Sequence, residues 1–214
     1  MKWQIFKMKL YVLALLLLMA CAQHCLTGAV GDFTSPHEFN KNNEFYKQSV
    51  DEFIKLNQPL GESFANILDR VVDDLQEVPN VDSYSITMNS LAYSEMAKKL
   101  RSYQEPNVQN AFNTCEIFMI YDVDKADQNS DDVYFKLFIK NGIKELNASF
   151  KARFKEYFDK FTKDFTQYLG TFSDVEKNDN KKVFDWFKEF QGEDVVHEKI
   201  KKFVEYFGFF EKLF

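Results

Sequence analysis

The sequence is poor in the residues that most enzymatic chemistry and most non-helical architecture need. It has seven Gly, four Pro, three His and three Cys in 214 residues. Seven Gly leave no Gly-rich loop after a strand, so nothing cradles a phosphate and a nucleotide-binding fold is excluded. The three His give no zinc-protease helix: His197-Glu198 and His37-Glu38 lack a second His four residues on, and His24 stands alone. Basic charge is also scarce, 27 Lys and Arg against 33 Asp and Glu. An acidic chain disfavours nucleic acid, whose binders need a basic face, and electrostatic docking on anionic lipid. Long apolar runs are missing after the first 22 residues, so no later segment is long enough to span a membrane.

The N-terminus reads as a secretory signal peptide over residues 1–22. Lys2, Lys7 and Lys9 precede the apolar run Leu10–Ala20, and Ala20-Cys21-Ala22 is a small-x-small cleavage site. Thr27-Gly28-Ala29 is a second possible site, and Leu18-Met19-Ala20-Cys21 resembles a lipid-attachment box whose Met19 fits poorly. The expected compartment is extracellular. Cleavage after Ala22 removes Cys21 and leaves Cys25 and Cys115, whose parity in an oxidising compartment predicts one disulfide. The other reading is a buried Cys115 thiol. Asn147-Ala148-Ser149 is a glycosylation sequon on a helix edge, and Asn113-Thr114-Cys115 a rarer one.

The strongest pattern is aromatic. Of 24 Phe, sixteen lie between Asp131 and Phe214. Ile143, Leu146, Phe150, Phe154, Tyr157, Phe161, Phe165 and Tyr168 recur at steps of three and four, which predicts one long amphipathic helix over Ile143–Leu169. Residues 23–36 read as an extended lead-in and 37–214 as a single all-α domain, a bundle of six to seven helices around that long helix. The expected helices run from about Asn43 to Asn57, Leu60 to Val78, Ser85 to Arg101, and Pro106 to Met119. Pro59, Pro79 and Pro106 separate them. In the third, Met88, Ala92, Met96 and Tyr103 roughly share a face in a segment rich in Ser and Thr. Val133–Ile139 is β-branched and aromatic and precedes Asn141-Gly142, so a hairpin with Glu116–Val123 competes with a helix. The helix is favoured because a lone hairpin is marginal. Asp131 or Ser130 is the expected cap. Two shorter helices follow the polar run 170–180, capped by Asp179 or Asn180 and by Asp194, with Gly192 between them.

Candidate chemistry is thin. Gly61-Glu62-Ser63-Phe64-Ala65 lacks the last Gly of a nucleophile elbow and lies on an amphipathic helix, so Ser63 reads as an ordinary first-turn residue. The acidic loop with Asp122, Asp124, Asp127, Asp131 and Asp132 breaks the EF-hand spacing: Ala126 stands at the fifth position and Val133 where the closing Glu belongs. No catalytic, cofactor or metal residue is expected, and the protein reads as a non-enzyme. The C-terminal stretch Phe203–Phe214 carries more rings than one buried stripe covers, which makes Tyr206 and Phe209 the expected partner or ligand surface. Val183–Gly208, VFDWFKEFQGEDVVHEKIKKFVEYFG, resembles the helix-Gly-helix segment of the insect allergen-related repeat through its apolar spacing and through Gly192 and Gly208. The resemblance covers 26 of 214 residues, and a second copy is not visible. It implies a secreted helical module associated with the gut and with lipid binding. The leading expectation is a secreted interaction protein, an effector or salivary-type factor binding an extracellular protein. The alternative is a carrier of a fatty acid or other apolar small ligand in an aromatic-lined cavity.

Overall fold

The computed structural model describes residues 39–79, 81–103, 106–120 and 132–210. These form one all-α domain with eight helices among the described residues: α1 Glu44–Leu75, α2 Ser83–Ser102, α3 Val108–Ile120, α4 Val133–Lys140, α5 Ile143–Leu169, α6 Asp174–Asp179, α7 Lys181–Gln191 and α8 Val196–Gly208. The signal segment, Cys25, the acidic loop from Asp122 to Asp131 and Phe214 lie outside the described residues.

Two long helices, not one, organise the bundle. α5 covers the expected 27 residues, but α1 is longer at 32 because the chain passes through Pro59 without stopping. Phe53, Asn57, Leu60, Phe64, Leu68, Val71 and Leu75 keep one phase across the proline and are all buried. Pro59 itself is exposed, so its ring stands on the solvent side, and Ser63 Oγ donates to its carbonyl at 2.7 Å. α1 starts at Asn43, whose side chain accepts from Tyr46 N at 3.1 Å. It packs on α2, α3, α4 and α5, while α8 lies against α3, α5 and α7.

The α4–α5 junction is a helix break. Asp132 caps α4, one residue past the expected cap, by accepting from Tyr134 N at 2.8 Å. Gly142 follows α4 at φ 94°, a left-handed conformation that side chains with a Cβ resist. α1 clamps this turn. Asp74 accepts from Lys140 Nζ at 2.8 Å and Asn141 Nδ2 at 2.7 Å, and Arg70 donates to Asn141 O at 3.0 Å.

α6 falls in the stretch expected to be a polar run. It is held by a capping box in which Ser173 Oγ accepts from Glu176 N and Glu176 Oε2 accepts from Ser173 N at 2.8 Å. α8 is capped by Val195 rather than Asp194; Glu193 Oε1 accepts from Val195 N at 2.8 Å.

Candidate interaction surface

The core is a continuous ring lattice. Phe161 lies 4.8 Å from Phe203, 5.0 Å from Tyr206, 5.3 Å from Phe165 and 5.5 Å from Phe190, mostly edge to face. Phe118 stacks on Phe150 at 4.6 Å, and Tyr46 on Phe210 at 4.6 Å. Separations of this size are ring-to-ring contact. The rings expected to line a cavity therefore fill one another's space. Between α1 and α5, around Ser49, Tyr157 and Phe161, a hollow of about 10 Å³ opens to solvent, room for a single water.

Polar groups inside the lattice are spent on structure. Tyr157 Oη donates to Ser49 O at 3.1 Å and Tyr206 Oη to Ser49 Oγ at 3.2 Å, while Ser49 Oγ donates to Phe45 O at 2.8 Å. Burial pushes both phenols well above their ordinary value, so neither ionises as an acid–base group. Cys115 Sγ lies 3.0 Å from Asn57 Oδ1, and Asn57 Nδ2 donates to Phe53 O at 2.8 Å. Burial likewise raises the thiol's pKa, which removes the thiolate that nucleophilic and metal chemistry need.

These placements correct several expectations. Tyr206 is fully buried, so the surface it was to share with Phe209 does not form. α8 is enclosed by α1, α3, α5 and α7, which broadens its inward face to Phe203, Tyr206 and Phe207, with Phe210 buried just past its end. Phe209 is half-buried with its ring 5.6 Å from Trp186. Asn147 is 2% exposed, one turn after Ile143 and one before Phe150 on the inner face of α5, so the folded chain presents no glycan acceptor there. Cys115 is a free, buried thiol; its expected partner Cys25 lies outside the described residues. His197 is 3% exposed and lies 6.0 Å from Phe150. Ser63 is exposed in mid-helix rather than in a first turn. Among the described residues no group of His, Cys, Asp or Glu is arranged to hold a metal, and no helix is long and apolar enough to cross a membrane.

The outward apolar surface lies instead on α2. Tyr84, Met88 and Leu91 are 65%, 43% and 56% exposed. Their spacing of four and three places them on one face. The helix is held from the opposite side by Asn89, Tyr93, Met96, Ala97 and Leu100, and Tyr93 meets Phe138 of α4 at 5.2 Å. Met88 and Ala92 thus face outward while Met96 and Tyr103 pack against the core, so the four do not share one face as expected. The inward face was hidden because its first member is Asn89, buried with Nδ2 donating to Ser85 O at 2.8 Å. The stretch from Ser83 to Ser94 carries no charge, in a chain that is 28% charged. Charge depletion with exposed Tyr and Met is the composition of interface cores. No family model, curated protein or solved structure matches the chain.

Proposed function

We propose that the protein is a secreted, non-enzymatic interaction protein that works through its surface, with the α2 face of Tyr84, Met88 and Leu91 as its contact area. The observation that carries this reading is the pairing of a ring-filled interior with an uncharged, exposed apolar stripe. A carrier of fatty acids needs a pocket of roughly 300 Å³ or more. Within the lattice the candidate lining rings touch, and the hollow between α1 and α5 holds about one water. The buried hydroxyls and thiol are committed to partners inside the fold, which supports the non-enzymatic reading. Secretion rests on the charged and apolar pattern of residues 1–22.

Native mass spectrometry of protein purified from the medium of expressing cells tests both parts. The expected species begins near Gln23 and carries no bound lipid. A stoichiometric fatty acid retained through purification would overturn the interaction reading in favour of the carrier.

A further inference from the structure

We propose that Asn141 is a site of spontaneous modification: it deamidates through Gly142, and the change releases α4 from α1. Asn141-Gly142 is the single Asn-Gly pair of the sequence. Glycine has no Cβ to shield its backbone nitrogen, so that nitrogen reaches the preceding carboxamide once the chain is free to turn. The Gly142 nitrogen gives its proton to solvent hydroxide and attacks Cγ of Asn141. The new N–Cγ bond closes a five-membered imide. The Cγ–Nδ2 bond breaks, and ammonia leaves with a proton from water. Water then opens the ring at either carbonyl. Attack at Cγ restores the main chain and leaves an aspartate side chain. Attack at the main-chain carbonyl leaves isoaspartate, with the chain routed through Cγ. The net reaction is amide and water to carboxylate and ammonium.

In the folded protein three hydrogen bonds hold the reacting atoms apart. Asn141 Nδ2 donates to Asp74 Oδ2 at 2.7 Å and to Leu137 O at 3.0 Å, which pins the carboxamide against α1 and the last turn of α4. Gly142 N donates to Ile139 O at 3.2 Å. Ring closure needs these bonds broken together, which is a local opening of the α4–α5 elbow. Asn141 is half-buried and Lys140 exposed, so solvent reaches the elbow, and Gly142 brings α5 no side-chain cap that would hold it shut. The clamp from α1 therefore sets the rate, because only molecules with an open elbow react.

The product cannot remake the clamp. A carboxylate at position 141 has no proton to donate where Nδ2 meets Asp74, and it sets two like charges side by side. Lys140, 2.8 Å from Asp74, then has to serve both. Isoaspartate also lengthens the main chain at the turn. The bonds from Arg70 to Asn141 O and from Asn141 N to Leu137 O then lose their common geometry. α4 keeps its ring contact with α2, Phe138 on Tyr93, but loses its tether to α1. Hydrolysis of the imide does not run backwards, so each molecule makes this passage once.

Ageing the full-length protein in mildly alkaline buffer, with peptide mapping and enzymatic methyl labelling of isoaspartate, tests the proposal. Asn141 is expected to convert faster than Asn89, which also precedes a small residue, Ser90, but lies in mid-helix. Conversion in the folded protein should be on the order of tenfold slower than in urea. Asp74→Ala, with unchanged circular dichroism, should age several-fold faster than wild type when folded and at the wild-type rate in urea. Asn141→Asp, the product made directly, should exchange amide hydrogens faster across Val133–Lys140 while α5 keeps its protection. Unmodified Asn141 in aged protein, equal rates folded and in urea, folded Asp74→Ala ageing like wild type, or wild-type exchange of α4 in Asn141→Asp would each overturn the proposal.

Discussion

Shortening Phe161 to Ala removes the ring on which α5, α7 and α8 converge. Phe161 is 4% exposed and meets Phe190 and Trp186 of α7 and Phe203 and Tyr206 of α8 at 4.8–6.5 Å. Its loss vacates on the order of 100 Å³, which at about 24 cal/mol per Å³ of unrelaxed cavity is ~2.4 kcal/mol. Lost transfer energy adds ~2 kcal/mol. Because its neighbours are rigid rings rather than flexible chains, little collapse offsets this, and the expected cost is ~4 kcal/mol. That corresponds to a melting temperature lower by roughly 8–16 °C for a domain of this size. Urea denaturation followed by Trp186 fluorescence measures it, since that indole lies 6.5 Å from the deleted ring. Phe161→Leu, which keeps most of the volume, should cost less than half as much. A Phe161→Ala midpoint within error of wild type, at unchanged slope, would refute the claim that this lattice holds the fold together.

The other expectations concern single interactions. Cys115 should resist a thiol reagent in the native protein and react at once in urea; fast native labelling at Cys115 would show the α1–α3 contact to be open. Pro59→Ala should raise the unfolding free energy by about 1–3 kcal/mol, read as a higher urea midpoint, because α1 regains a backbone donor at an exposed position where proline is unfavourable; no gain would mean that the helix is distorted around residue 59 independently of the ring. Asp74 is held below the ordinary carboxylate range, first by its hydrogen bond from Lys140 and then by that from Asn141. Its folded pKa is below its unfolded one, so its contribution is present above the unfolded value and is lost as pH falls through the folded value. Asp74→Asn should therefore flatten the loss of stability below about pH 4, and an acid limb identical to wild type would remove Asp74 from that role.

Much of this architecture was readable from periodicity. α5 was plain because eight apolar residues keep step while charges occupy the other side. The break before it was marked by Asn141-Gly142. Other features needed the third dimension. Pro59 reads as a boundary in a linear pass, and only the unbroken phase from Phe53 to Leu75 shows that α1 continues. α6 carried its own signal in Ser173 and Glu176, a capping pair obscured by the polar residues around it. The contact surface was misplaced for one physical reason: periodicity finds a stripe but not how many neighbours surround it. α8 is surrounded by α1, α3, α5 and α7, so Tyr206 goes inward with the phenylalanines. α2 is gripped from one side by residues as polar as Asn89, which leaves Tyr84, Met88 and Leu91 outside.

Ser49 carries a consequence for how the bundle finds its register. A lattice of phenylalanines is attractive but poorly directional, and sliding α5 by one turn against α1 would put Phe154 where Phe150 was and Phe165 where Phe161 was. Burial alone hardly distinguishes those alignments. The two hydroxyls do. Tyr157 from α5 and Tyr206 from α8 both end on Ser49 of α1, and any slip strands a phenol in an apolar interior. Hydrophobic collapse brings the three helices together. One serine works as the alignment mark that decides where along one another they stop.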